Sequence, residues 1–170
     1  MVDYQELATR DGISVKDGKI QGVKVIALRA NADDRGYLIE CWRKSWDTIP
    51  LPHGVSQVYT VIDPTKGLIR AFHKHAQLWD LFYIVKGSAK FGLIDGRPDS
   101  PTHKVQETIV TGERNPILIV VPPGVYHGWM SLEDNTVMIS IASHEYDRKT
   151  PDEERVPPSH EGFDWSVKGR

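Results

Sequence analysis

The sequence has a single cysteine, Cys41, only three methionines, and an aliphatic run no longer than Ile117 to Val121. One cysteine can neither close an internal disulfide nor build a cysteine-rich metal cluster, which fits a reducing compartment. Five aliphatic residues fall far short of the roughly 20 that cross a bilayer as a helix. The opening residues, MVDYQELATRDGIS, lack the apolar stretch of a signal peptide. A soluble, cytoplasmic protein without a membrane partner is expected. Basic excess is missing as well: 21 Lys and Arg stand against 23 Asp and Glu, for a net charge of −2. Binding to a phosphate backbone normally rests on such an excess, so nucleic acid is not an expected partner. Long helical periodicity is also absent. The one stretch worth noting, Trp42 to Ile49, is expected to form a short helix before Pro50 and Pro52.

What is present points to β structure. Fourteen glycines and 11 prolines punctuate short apolar segments at fairly even intervals, the pattern of many short strands. Strands are expected over Val23 to Leu28, Gly36 to Trp42, Gln57 to Ile62, Leu68 to His75, Leu81 to Lys86, Ala89 to Ile94, Val105 to Val110, Ile117 to Val121 and Thr136 to Ser143. In the last, Val137, Ile139 and Ile141 share one face and Met138, Ser140 and Ala142 the other. Ile117 to Val121 has no alternation and should be buried on both sides. Residues 144–170 are rich in charge and proline and read as coil or short helix laid over the sheet. A chain of 170 residues suits one domain, 1–170, able to bury about 70% of its unfolded surface. The fold class is therefore all-β, a sandwich or a barrel of jelly-roll type.

The chemistry-bearing residues gather in Gly67 to Gly87, GLIRAFHKHAQLWDLFYIVKG. His73 and His75 are two apart, so on a strand both imidazoles leave one face and Lys74 leaves the other. Asp80 follows five residues later, and far along the chain His127 follows the turn Pro122-Pro123-Gly124. Together these four are metal-type ligands at plausible spacing. They resemble the paired motifs of the cupin superfamily, His-x-His with an acid after four more residues, then Pro-x-Gly-x-x-His.

A wider set of residues is similar to the nucleotide-sugar epimerases related to dTDP-4-dehydrorhamnose 3,5-epimerase. It comprises Asp33-Asp34-Arg35-Gly36 with Glu40, Gln57, Ile69-Arg70-Ala71-Phe72-His73, Arg97-Pro98-Asp99-Ser100-Pro101-Thr102, Pro122 through Trp129, and Phe163-Asp164-Trp165. The resemblance implies a cupin-type jelly-roll barrel that inverts C3, C5 or both in a 4-keto sugar carried on a nucleotide, with no cofactor. It assigns the base to His73, whose imidazole titrates near neutrality, as proton abstraction requires. Arg70 would hold the sugar or its pyrophosphate, and Gln57, His75 and His127 would also contact substrate. Arg35 would reach the phosphates from the neighbouring subunit of a homodimer. One structural condition follows: strict alternation would send Arg70 and His73 to opposite faces, so either a bulge or the end of the preceding turn must intervene if both point inward.

The chain departs from this pattern in three ways. Ser140 stands where the family has its acidic Tyr, leaving Tyr59, two residues after Gln57 on the same strand face, as the replacement. The family's orienting Asp has no counterpart in Pro157-Pro158-Ser159-His160-Glu161. Asp80 replaces a lysine, which changes the charge of the pocket. Three other readings remain open: a 3,4-ketoisomerase of a nucleotide sugar, a metal-dependent cupin using His73, His75, Asp80 and His127, and a sugar-binding or scaffold protein that exchanges no protons. A metal on His73 would occupy the lone pair needed for proton abstraction, so base and ligand compete for one nitrogen. The expectation adopted is a base that needs no metal.

Overall fold

The computed structural model describes residues 13–46, 51 and 54–169. These form β1 (Ser14–Asp17), β2 (Lys24–Ala27), β3 (Ala30–Asp33), β4 (Gly36–Ile39), β5 (Gln57–Asp63), β6 (Ile69–Lys74), β7 (Asp80–Lys86), β8 (Ser88–Asp95), β9 (Gln106–Gly112), β10 (Ile117–Val121), β11 (Val125–Ser131), β12 (Thr136–Ala142) and β13 (Glu154–Arg155). Helix among the described residues amounts to one 3-10 turn, His160–Gly162. The fold is all-β, a jelly-roll barrel in which six strands ordered β1-β2-β10-β7-β12-β5 face five ordered β13-β6-β11-β8-β9. β3 and β4 make a separate hairpin.

Side-chain alternation divides the apolar residues among three layers. Phe82, Ile84, Phe91, Leu93, Ile119, Trp129 and Met138 fill the space between the sheets. Ile26, Leu81, Tyr83, Leu118, Val120 and Ile141 point out of the six-stranded sheet. That outer face is not left to water, because Trp46 and partly buried Ile39, Cys41, Trp42 and Leu51 cover it. β10 is consequently buried at every position, as its unbroken aliphatic run leads one to expect. Each such side chain contributes about 1.5–3 kcal/mol by leaving water. The cover also explains one failed expectation. Residues 42–46 are coil and turn rather than helix, and 47–49 lie outside the described residues. A helix of two turns is marginal alone, and here Trp42 and Trp46 are laid over the sheet instead.

The third layer is the outer face of the five-stranded sheet, where Phe72, Ile94, Tyr126 and Phe163 cluster with partly buried Trp165. Phe72 meets Phe163 edge-on at 5.2 Å between centroids. Gly92 makes this docking possible, since a Cβ there would lie 2.6 Å from the Phe163 ring and 2.9 Å from Trp165. The Phe-Asp-Trp stretch thus fastens the C-terminal segment to the barrel.

The Arg97 to Thr102 stretch has a structural task. Asp95, at the end of β8 and fully buried, accepts hydrogen bonds from Arg97 Nε at 2.8 Å and from the Ser100 and Thr102 hydroxyls at 2.6 Å each. Burial alone would raise the Asp95 pKa, but the Arg97 guanidinium and the two hydroxyls outweigh it and hold the carboxyl well below its usual range. Asp95→Ala is expected to cost about 3 kcal/mol, because it strands a guanidinium against the barrel. A depressed carboxyl stabilises the fold fully above its unfolded pKa of about 3.9 and loses that contribution as pH falls toward its folded value. The gap between native and variant in urea unfolding should therefore be full at pH 7 and shrink below about pH 4. A gap under about 1 kcal/mol at pH 7 would show that the clamp does not stabilise the loop.

Candidate active site

At one end of the barrel the apolar filling stops at Phe82, Phe91, Trp129 and Met138, and a cavity of about 380 Å³ opens above them. Its walls come from both sheets. β5 supplies Gln57 and Tyr59, β7 supplies Asp80, β6 supplies Arg70 and His73, and β11 supplies His127. β11 was not among the strands expected from sequence. It is buried at all seven positions, so it shows no alternation, and Gly128 breaks its apolar pattern.

Of the two ways in which Arg70 and His73 could share a face, the structure has the bulge. His127 pairs with His73 and Trp129 with Arg70, so Gly128 alone opposes both Ala71 and Phe72. The extra residue in β6 returns Arg70 and His73 to the same face. Gly128 is required by the close approach, because a Cβ there would lie 2.7 Å from Ala71 Cα and from the Arg70 carbonyl oxygen. Arg70 is then fixed by Asp63, the buried last residue of β5, which accepts from Arg70 Nε at 2.6 Å.

A carboxylate that the sequence motif did not reveal, Glu153, lies against His73. Its Oε1 accepts the His73 Nδ1 proton. A carboxylate can only accept here, so His73 carries its proton on Nδ1 and keeps Nε2 as the basic nitrogen. Burial alone would raise the Glu153 pKa, but Arg155 at 2.9 Å and His73 outweigh it and hold the carboxyl low. Glu153 sits in a segment pinned to the barrel at several points. Asp152 accepts from the backbone N–H groups of Ala76, Gln77 and Leu78 at 2.8–3.1 Å. β13 pairs with β6, placing Glu154 opposite Lys74 and Arg155 opposite His73. Lys74 turns outward as expected, to Glu154 at 2.8 Å.

His75 and His127 turn their Nε2 atoms toward one oxygen of Asp80, at 3.3 and 3.4 Å. Each ring is held from behind by a backbone carbonyl, that of Asp152 for His75 and that of Val125 for His127. Burial pushes His127 down to about 4. For His75 burial acts in the same direction, but the Asp80 carboxylate overcomes it and the pKa is raised. Across the cavity Tyr59 lies opposite Ser140 in the β5–β12 register. Burial, then the Asp80 charge, raise its phenol pKa, which favours the protonated form. Tyr59 thus comes from the strand next to the one on which the family acid is expected.

Gln57, Tyr59, Arg70, His73, His75 and His127 all line the cavity. Arg35 does not. It lies at the β3–β4 turn, with its side chain 89% exposed and paired to Asp33, outside the cavity of its own chain. The four-residue metal set is also not assembled as such, since the donors of His75, Asp80 and His127 converge while His73 turns to Glu153. Glu153, Arg155 and Asp63 escaped sequence reading. Glu153 and Arg155 sit in an irregular tail whose partners are set only by its docking, and Asp63 is one acid among 23.

The family described as dTDP-4-dehydrorhamnose 3,5-epimerase matches residues 17–168. The chain belongs to this family. A probable low-salt glycan biosynthesis epimerase of Haloferax volcanii is 37% identical over 140 residues, covering 81% of this chain and 88% of that protein. A spore coat polysaccharide biosynthesis protein of Bacillus subtilis is 36% identical over 154 residues, 89% of this chain and 99% of the relative. In fold, the crystal structure of dTDP-4-dehydrorhamnose 3,5-epimerase from Bacillus anthracis, with TDP and pyrophosphate bound, superposes with a TM-score of 0.83 at 23% identity over 92% of each chain. Membership of the epimerase family makes this chain an enzyme of sugar epimerisation.

Proposed function

We propose that the enzyme inverts C3, C5 or both in a nucleotide-linked 4-keto sugar, with His73 as base and Tyr59 as acid, in the making of a surface polysaccharide. The observation that carries this reading is the placement of the His73–Glu153 pair on one sheet wall and Tyr59 on the other. A ketone at C4 acidifies the C–H bonds at C3 and C5. His73 Nε2 removes one of these protons, the C4 oxygen takes up the negative charge, and the Tyr59 hydroxyl returns a proton to the opposite face. Inversion requires donor and acceptor on opposite sides of the ring, which two walls from different sheets supply. Arg70, Gln57, His75 and His127 contact the substrate, and the open mouth leaves room for the nucleotide. The relatives named for glycan and spore coat polysaccharide biosynthesis support the biological setting.

The test is deuterium wash-in. A 4-keto nucleotide sugar incubated in heavy water is expected to gain deuterium at C3 or C5 with native enzyme and to lose that exchange in His73→Asn. Exchange that survives the substitution rules out His73 as the base. A 3,4-ketoisomerase is the second reading, favoured by the delivery of Tyr59 from β5; product analysis separates it, since that reaction moves the keto group.

The protein acts as a homodimer in this proposal, with Arg35 completing the partner's cavity at the phosphates. The exposed β3–β4 hairpin, with Tyr37 and Leu38 59% and 61% exposed, supports a covering partner. Light scattering should give twice the 19.2 kDa chain mass, and Arg35→Ala should raise KM for the nucleotide sugar about tenfold or more. A stable monomer at micromolar concentration removes Arg35 from the site.

A further inference from the structure

We propose that the outer face of the five-stranded sheet carries a binding site for an organic oxyanion, a phosphate or carboxylate group on a small apolar body, with Lys90 as its anchor. A second cavity, of about 460 Å³, lies there between β8, β9 and the C-terminal segment. That volume is in the range of small-molecule pockets. Side chains alternate along β8, so Phe91 and Leu93 fill the barrel while Lys90 and Gly92 face outward under the docked tail. The sheet thus separates this cavity from the one that holds His73, and the proposal is independent of the reaction assigned there.

Lys90 is 6% exposed, and a lysine so buried normally meets a carboxylate. Here its Nζ donates to the backbone carbonyls of Asp164 and Ser166, at 2.8 and 2.9 Å. No carboxylate among the described residues forms an ion pair with it. An ammonium has three donors, so one remains after the two carbonyls are served. Carbonyl dipoles hold the group in place but carry no net charge. Burial pushes the Lys90 pKa down, the direction expected of an ammonium whose charge is unmatched. An anion in the cavity supplies both the missing acceptor and the missing charge.

The walls add charge of the same sign. Lys19 and Lys168 line the cavity with Lys90, against a single acid, Asp164, in a chain whose net charge is −2. Asp164 turns its carboxylate to Lys168 Nζ and to the Ser166 backbone N–H, at 2.8 Å each. The rest of the lining is mixed: Thr108 brings a hydroxyl, while Val110 and Phe163 bring apolar surface. Val110 is 53% exposed and gains cover from a ligand body. One deep cation beneath an apolar wall suits an oxyanion carried on an apolar group better than a free inorganic ion.

The experiment follows the amide resonances of the full chain by nuclear magnetic resonance during titration with phenyl phosphate, benzoate and inorganic phosphate. Saturable one-to-one shifts are expected at Lys90, Thr108, Val110 and Phe163. Phenyl phosphate should bind about tenfold more tightly than inorganic phosphate, because its ring covers the apolar wall; equal affinities overturn the apolar body. Saturation by phenyl phosphate alone assigns the site to phosphate esters, by benzoate alone to carboxylates, and by both to either group; saturation by neither overturns it. Lys90→Met removes the charge and should weaken binding about tenfold or more. The indole N–H of Trp165, donated to the Pro158 carbonyl at 2.9 Å, shows in the same spectrum whether the tail stays docked. With the tail docked, unchanged affinity in Lys90→Met overturns the site. If the tail is released, Lys19→Ala decides: weakening of about threefold supports the site, and unchanged affinity overturns it. Arg70→Ala, in the other cavity, should keep the affinity within about twofold of native. Weakening there equal to that in Lys90→Met places the anion in the sugar cavity and overturns the proposal.

Discussion

Glu153→Gln is expected to lower turnover about 10²–10⁴-fold, with KM for the sugar nucleotide changed little. The carboxylate of Glu153 sets which ring nitrogen of His73 carries the proton. An amide in its place can offer an N–H to Nδ1, which moves the ring proton to Nε2 and leaves no lone pair facing the C–H bond. The loss is thus one of basicity rather than of binding, and it should appear in kcat. Glu153→Asp keeps the charge but is shorter, so it should fall between native and Gln. Steady-state kinetics with thermal unfolding of both variants decides the matter. If Glu153→Gln stays within about fivefold of native in kcat, or if KM rises instead, the carboxylate does not orient the base.

How much of this was legible in the sequence depends on whether a feature is local. Strands β5, β7, β8, β10 and β12 follow from alternation or aliphatic runs bounded by turns, and these signals need no knowledge of partners. The irregularity in β6 was legible as one of two alternatives, a bulge or the end of the preceding turn, because two residues three apart do not share a wall on a regular strand; the pairing with β11 shows that it is a bulge. Its matching Gly128 was in plain view but gained meaning only when β6 lay against β11. Glu153 was not legible at all. It reaches His73 across 80 positions because Asp152 caps the β6–β7 loop and Phe163 and Trp165 fill the space above Gly92. No sequence period marks an acid in a coil, so its role appears only after the tail has docked. Arg35 illustrates the converse, a motif residue recognised in sequence whose cavity, in the present proposal, belongs to a second copy of the chain.

Tyr59→Phe is expected to separate two events that native enzyme couples. His73 and Glu153 remain, so the C–H proton still leaves. Without the hydroxyl on the opposite wall, the proton returns from the His73 side only. In heavy water the substrate should therefore gain deuterium with its original configuration, while inverted product forms about 10²–10⁴-fold more slowly. Nuclear magnetic resonance of the recovered sugar reads both quantities in one sample. If exchange and inversion fall together, Tyr59 positions the substrate and does not act as the acid; if neither falls, the acid is another residue. A swap tests the strand argument directly. Ser140 lies opposite Tyr59 in the β5–β12 register and shares the inward face of β12 with Met138 and Ala142. Tyr59→Ser combined with Ser140→Tyr keeps the total side-chain volume and moves the phenol to the neighbouring strand. The double variant is expected to regain inversion well above Tyr59→Ser alone, because what the reaction requires is a phenol on the wall facing His73.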